Sequence, residues 1–173
     1  MSMSYTPVAK GLHWLMAAMV VGLLALGLYM TELPLSPQKL QLYSWHKWAG
    51  VTVFALLWVR LAWRLTHPPP PLPESVSLRM RRLAHLGHAA LYGLMIVIPV
   101  SGWLMSSAKG FQTVWFGIVP IPDLIGRDRE LGDLLQSVHK ALNLLLMLAI
   151  AGHVAAALWH HFVLKDNTLG RIR

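Results

Sequence analysis

Four apolar segments, each long enough to cross a lipid bilayer, constrain the fold of this 173-residue chain more than any other feature. A helix needs about 20 consecutive apolar residues to cross the hydrocarbon core of a bilayer. The chain is 55% hydrophobic and only 13% charged, about half the charged fraction of an ordinary soluble domain. We therefore predict an all-α, integral membrane four-helix bundle that forms one domain over residues 1–173. Its helices are predicted over about residues 8–31, 45–65, 83–108 and 136–164.

Basic residues between the apolar segments predict the orientation of the bundle. The second loop carries Arg64, Arg79, Arg81 and Arg82 against the single acid Glu74, and the C-terminal tail ends with Arg171 and Arg173. The first loop is neutral, and the third loop holds more acids than bases. By the positive-inside rule, both termini and the second loop lie in the cytoplasm. Membrane orientation thus accounts for the formal charge of +8, and we expect no nucleic-acid partner.

The ligand-forming residues are histidines, because the chain contains no cysteine. Disulfides, iron–sulfur clusters, thiolate zinc sites and c-type heme attachment are therefore excluded. In the predicted orientation, His13 and His153 lie toward the cytoplasmic side, and His46 and His139 lie toward the outer side. His139 and His153 are 14 residues apart, which leaves them about 40° apart around the fourth helix. Along the helix axis they are separated by about 21 Å.

Two histidines so far apart on one helix cannot ligate the same metal ion, so each needs a partner at its own depth. His46 matches His139, and His13 matches His153. Two histidines from facing helices are the ligands that hold a heme between helices. A single histidine near a helix end is more often an interfacial residue, but four that match in depth and face favour ligation. Zinc and diiron sites are disfavoured because no acidic residue lies within the apolar segments.

Five stretches of the sequence resemble the bacterial di-heme cytochrome b561 family of small inner-membrane cytochromes. They are HWLMA (13–17), LYSWHKWAGV (42–51), LAHLGHAALYGLM (83–95), SVHKALN (137–143) and GHVAAALWHHFVLKDNTLGRI (152–172). The resemblance implies two heme b groups with axial ligands at His13, His46, His139 and His153. It also implies a multi-pass protein of the inner membrane that donates electrons to ubiquinone, with superoxide as the electron donor in at least one member.

Lys47 and Lys140 directly follow the two outer histidines. We interpret them as candidate catalytic residues that form an electropositive mouth and steer superoxide, with Lys109 as a further contributor. The alternative is that these lysines only extend toward the membrane interface. The acidic residues of the third loop weaken the positive field in either case.

His88 and His160 lie on the predicted cytoplasmic side and are candidate quinone-site residues. Reduction of a quinone consumes protons, which histidine can deliver near neutral pH. The alternative is an interfacial or hydrogen-bonding role.

Three functions stay open from the sequence. The first is a superoxide:quinone oxidoreductase. The second is an electron-transfer subunit that links the quinone pool to a partner dehydrogenase or periplasmic hemoprotein. The third is a transporter or assembly factor without heme.

Overall fold

A computed structural model describes residues 4–71 and 76–173. Glu74 and the last two residues of the proline-rich stretch HPPPPLP (67–73) therefore lie outside the described residues. Four long helices account for most of the chain: α1 (Pro7–Glu32), α2 (Pro37–Thr66), α3 (Leu78–Ala108) and α4 (Arg129–Phe162). Each is long and apolar enough to cross a membrane. The predicted all-α membrane bundle of four helices is confirmed.

The helices begin after local capping residues, and this lengthens three of them beyond their apolar segments, including α3, which begins at Leu78 after Ser77 rather than near residue 83. Ser36 accepts a hydrogen bond from the Lys39 backbone amide, and α2 begins at Pro37 rather than near residue 45. Asp128 accepts one from Leu131, and α4 begins at Arg129 rather than near residue 136. A capped polar turn adds helix outside the hydrocarbon core because its first amide groups are satisfied.

The helices pack as two couples, with close contacts mainly between α3 and α4 and between α1 and α2. The buried core lies between the two ends of the bundle and consists of Met16, Val20, Val53, Leu57, Ile98 and Leu146. Many other large apolar side chains are exposed, as expected for surfaces that face lipid. The core thus leaves both ends of the bundle to polar side chains.

One end of the bundle, which we call the terminal end, brings the two termini and the loop between α2 and α3 together. The Tyr5 amide donates to the Arg171 carbonyl at 3.1 Å, and the Trp14 indole donates to the Ile172 carbonyl at 3.0 Å. The buried Arg171 side chain donates to the carbonyls of Pro70 and Pro71. The tail between these contacts includes a short 3-10 helix, Leu169–Arg171.

The opposite end, which we call the hairpin end, carries a small antiparallel hairpin of β1 (Val114–Trp115) and β2 (Val119–Pro120). This hairpin lies between the third and fourth predicted helices, where no strand was predicted from the sequence. Gly117 has a φ of 71° in the connecting turn, a backbone conformation that glycine adopts without strain. The Trp115 indole donates to Thr52 Oγ1 at 3.2 Å, and the Trp48 indole donates to the Val114 carbonyl at 2.6 Å. These bonds fix the hairpin on α2.

Candidate functional site

His139 is the most firmly positioned histidine at the hairpin end. Its Nδ1 atom lies 2.9 Å from Ser101 Oγ, and the same hydroxyl lies 2.7 Å from the Ile98 carbonyl. A hydroxyl has one proton, which Ser101 donates to Ile98. His139 Nδ1–H must therefore donate to Ser101, and this leaves Nε2 with a free lone pair. Metal-ligating histidines are oriented in this way by a hydrogen bond at their other ring nitrogen.

His46 lies at the same end on α2, close enough to His139 for the two rings to interact electrostatically. Its Nδ1 atom is buried and has no hydrogen-bond partner among the described residues. A buried polar atom without a partner is uncommon in native proteins and needs an explanation. A site that holds a further group beside His46 provides one.

Two glycines make room for these rings. A Cβ atom at Gly102 on α3 would lie 3.1 Å from His139 Cε1, and one at Gly27 on α1 would lie 3.4 Å from His46 Cε1. A larger side chain at either position would displace an imidazole. The neighbouring helices thus shape this end around its two histidines.

At the terminal end, the rings of His13 on α1 and His153 on α4 have centroids 6.3 Å apart and an interplanar angle of 61°. Two imidazoles on one metal ion have centroids about 6 Å apart when each ligating nitrogen is about 2 Å from the metal. The spacing of this pair therefore suits a shared ion.

A third histidine, His88 on α3, lies against His153 with a centroid distance of 5.3 Å. Its Nδ1–H donates to the Ala84 carbonyl at 2.7 Å, so Nε2 is free to bind a proton or a ligand. The terminal end thus gathers three of the histidines selected from the sequence.

Arg60 joins this cluster from α2, a contact that sequence analysis missed. Its Nη2 atom lies 3.1 Å from His13 Nδ1, and its guanidinium lies 5.6 Å from the centre of the Tyr92 ring. Arg60 lies within the predicted helix 45–65, where its side chain is expected to extend toward the membrane interface, whereas the structure places it against histidine and tyrosine. One signal was present: Arg60 follows His46 by 14 residues, as His153 follows His139.

These residues fit heme held by pairs of histidines. Each pair joins α4 to a helix of the other couple, His139 to α2 and His153 to α1, and so spans the interface between the couples rather than the closely packed interior of one. Within residues 4–71 and 76–173, no group of three or more histidine and acidic side chains is arranged to hold a metal ion directly. The donor sets are therefore imidazole pairs, which are typical axial ligands of a b-type heme.

The lysines at the hairpin end differ in how they are engaged. Lys47 Nζ donates to the Phe111 carbonyl at 2.9 Å, whereas Lys140 is exposed. Lys109 forms an ion pair with Asp133 at 2.9 Å and a hydrogen bond with Gln136. Lys109 therefore adds little unpaired charge, and the proposed mouth is reduced to Lys47 and Lys140.

His160 lies away from the three-histidine cluster, beside the C-terminal tail. Its Nδ1 atom is 2.5 Å from Asp166 Oδ2. Burial raises the pKa of Asp166, but hydrogen bonds from Thr168 and His160 outweigh it and hold that pKa below its usual value. The two side chains border a cavity of about 350 Å³, completed by Val76, Ser77, Met80, Trp159 and Leu164. His88 and His160 thus lie in different surroundings rather than in one shared pocket.

The chain was compared with known proteins. A family model described as prokaryotic cytochrome b561 matches residues 4–173. Cytochrome b561 homolog 2 of Escherichia coli K12 is 35% identical over 97% of this chain and 90% of that protein. A probable superoxide oxidase, CybB of Yersinia pestis, is 31% identical over 99% of this chain and 97% of its own length. Cytochrome b561 homolog 1 of Escherichia coli K12 is 28% identical over 73% of this chain and 72% of that relative.

The family match covers all four helices and both histidine pairs. The chain therefore belongs to the prokaryotic cytochrome b561 family, whose members are multi-pass membrane proteins that bind heme b and transfer electrons.

Proposed function

We propose that this protein carries electrons across the bacterial inner membrane through two heme b groups, from superoxide at the periplasmic hairpin end to ubiquinone. The positive charge of the second loop and tail supports a cytoplasmic position for the terminal end. The observation that carries the proposal is the presence of one matched histidine pair at each end of the bundle. The name of the Yersinia relative supports superoxide as donor.

The four histidines have the same task at both ends, which is to hold and orient the cofactor. His46 and His139 would hold one heme, and His13 and His153 would hold the other. Bound heme supplies a reversible one-electron carrier. Because α4 supplies one ligand to each site, its rigid helix fixes the distance between the sites.

At the hairpin end, Lys47 and Lys140 would attract the superoxide anion toward His46 and His139. Each superoxide gives up one electron and leaves as dioxygen, so no proton is needed there. The exposed Lys140 would contribute more to long-range attraction than Lys47, whose ammonium group is already bound to a carbonyl oxygen.

At the terminal end, two electrons and two protons convert one ubiquinone to ubiquinol. The free Nε2 atom of His88, which lies beside His153, is suited to take up a proton and then donate it to a quinone oxygen. His160 and Asp166 border the cavity at the cytoplasmic surface, where a hydrogen-bonded pair is suited to pass protons inward.

Stopped-flow mixing of superoxide with the oxidised protein tests this function. We expect heme reduction faster than spontaneous dismutation, at a rate that falls with salt because the attraction is electrostatic. The double substitution Lys47→Gln and Lys140→Gln should slow reduction roughly tenfold at low salt. The double substitution Lys109→Gln and Asp133→Asn is the matched control and should have little effect, since it removes an ion pair and leaves the net charge unchanged.

The second candidate function is an electron-transfer subunit that docks a partner dehydrogenase or a periplasmic hemoprotein. The tip of the hairpin favours it, because Ile118 is 80% exposed and Phe116 is 54% exposed beside it. This function predicts heme reduction only in the presence of the protein partner. An absence of superoxide-driven reduction, in a protein that holds both hemes, would replace the first candidate by this one.

A further inference from the structure

Two arginines on α2 lie against one tyrosine ring at the terminal end. The guanidinium of Arg60 is 5.6 Å from the centre of the Tyr92 ring, and that of Arg64 is 6.0 Å from it. Both side chains are partly buried. Their stacking on one ring holds two positive charges together, and a cluster of this kind is costly in an apolar segment unless an anion accompanies it.

The protein itself supplies no such anion within the described residues. The ion pair of Lys109 with Asp133 and the hydrogen-bonded pair of His160 with Asp166 lie there, and neither includes Arg60 or Arg64. The neighbours of Arg60 are His13 and Tyr92, which carry no negative charge near neutral pH. The two guanidinium groups are therefore suited to receive an oxyanion from outside the chain.

The contact between Arg60 and His13 indicates where that anion belongs. A guanidinium can only donate, so His13 Nδ1 must accept from Arg60. In a neutral ring the proton is then on Nε2. A histidine that ligates a metal through Nε2 carries its proton on Nδ1 instead, and this tautomer cannot accept from Arg60. Ligation by His13 therefore releases Arg60 to another acceptor at the same site.

We propose that Arg60 and Arg64 bind the carboxylate groups of the heme that His13 and His153 would hold. This inference rests on the proposed placement of heme at the terminal end. Guanidinium groups suit the task because they bind carboxylates through two parallel hydrogen bonds. Among the described residues, no two guanidinium groups lie against one ring at the hairpin end, where Ser101 engages His139 and Lys47 donates to a loop carbonyl. The two hemes should therefore differ in how strongly charge holds them.

The test measures the rate at which heme transfers from the full-length holoprotein to excess apomyoglobin. Absorbance follows the transfer. The His139→Ala background, which keeps only the terminal-end heme under the proposed function, isolates the relevant phase. In that background Arg60→Gln should accelerate heme loss roughly tenfold, the effect of removing a hydrogen bond to a charged group. Arg60→Lys should restore part of the retention. Arg82→Gln, an exposed arginine on α3, is the matched control and should change nothing.

A second readout separates a charge effect from loss of packing. Redox titration should show that Arg60→Gln lowers the midpoint potential of the terminal-end heme, since a nearby cation favours the reduced iron. Where Arg60→Gln holds too little heme to titrate, Arg64→Gln takes its place, with a smaller change in the same direction. Unchanged heme loss and unchanged potential in both variants would overturn the proposal.

A phospholipid phosphate is the other source of an oxyanion at this depth. It predicts that heme retention in the wild-type protein depends on anionic lipid in nanodiscs and that Arg60→Gln abolishes this dependence. That result would also overturn the proposal. Failure of the proposed function itself looks different, because the wild-type protein would then hold no heme, or His139→Ala would remove both hemes or neither.

Discussion

At the hairpin end, uncharged groups position the histidine rings. At the terminal end, an arginine side chain contacts one of the histidine rings. His139 is oriented by a serine hydroxyl and closely approached by a glycine, and His46 by another glycine. His13 instead contacts Arg60, and its neighbour His88 has an exposed, accessible ring. The difference suits the two proposed tasks. A site that only passes electrons benefits from rigidly held rings, with Lys47 and Lys140 at its entrance, whereas a site that also handles protons and a bulky quinone needs charged groups beside its rings and access to them.

The largest expected effect comes from filling the space beside His139. Gly102→Leu should displace the imidazole and remove the hairpin-end heme while it leaves the other heme in place, because a Cβ at residue 102 already lies 3.1 Å from the ring. Gly93→Leu on the same helix is the control, since a Cβ there meets no atom within 4 Å. Heme content per protein measures both. Equal heme content in the two variants would show that close packing does not hold the hairpin-end site.

A smaller effect is expected from removing the acceptor that orients His139. Ser101→Ala should weaken heme binding at the hairpin end about 10- to 100-fold, the usual cost of losing the hydrogen bond behind a metal-ligating histidine. Ser101→Thr keeps the hydroxyl and should retain most of the affinity. Competition with apomyoglobin measures the change. A larger effect on the terminal-end heme than on the hairpin-end heme would contradict the assignment of Ser101.

The smallest effect concerns the acid sensitivity of the C-terminal tail at the terminal end. The pKa of Asp166 is lowered in the folded chain, so its stabilising contribution is complete above the usual aspartate value of about 4. That contribution is lost as the pH falls through the lowered pKa. Hydrogen exchange should show the tail around Thr168 opening a few-fold more as the pH falls from 5 to about 3. In the Asp166→Asn variant, the tail should be equally open across this pH range. Hydrogen exchange in the hairpin should not change as the pH falls.

The sequence predicts the depth of each histidine because depth follows from residue number along a helix of known pitch. The pairing of His13 with His153 followed from this rule, and the structure places these rings 6.3 Å apart. The rotation of α1 and α3 about their own axes is harder to predict from the sequence, because apolar residues cover both the lipid-facing and the packed sides of a membrane helix. Ser101, Gly27 and Gly102 therefore could not be assigned as neighbours of the histidines before the helices were placed.

The hairpin was missed for a different reason. Each of its strands has two residues, too few for an alternating pattern to indicate a strand. Its stability comes from tryptophan hydrogen bonds to α2, such as that from Trp115 to Thr52. These are tertiary contacts between residues far apart in the sequence. A feature held by such contacts is visible only once the bundle is assembled.

The presence of two separable heme sites is tested most directly by the heme-to-protein ratio. Pyridine hemochrome assays on the purified wild-type protein, His139→Ala and His153→Ala should give two hemes, one and one per chain. The heme that survives in one variant should differ in midpoint potential from the heme that survives in the other. A folded His153→Ala variant that retains both hemes, or loses both, would contradict the pairing of one histidine from α4 with each site.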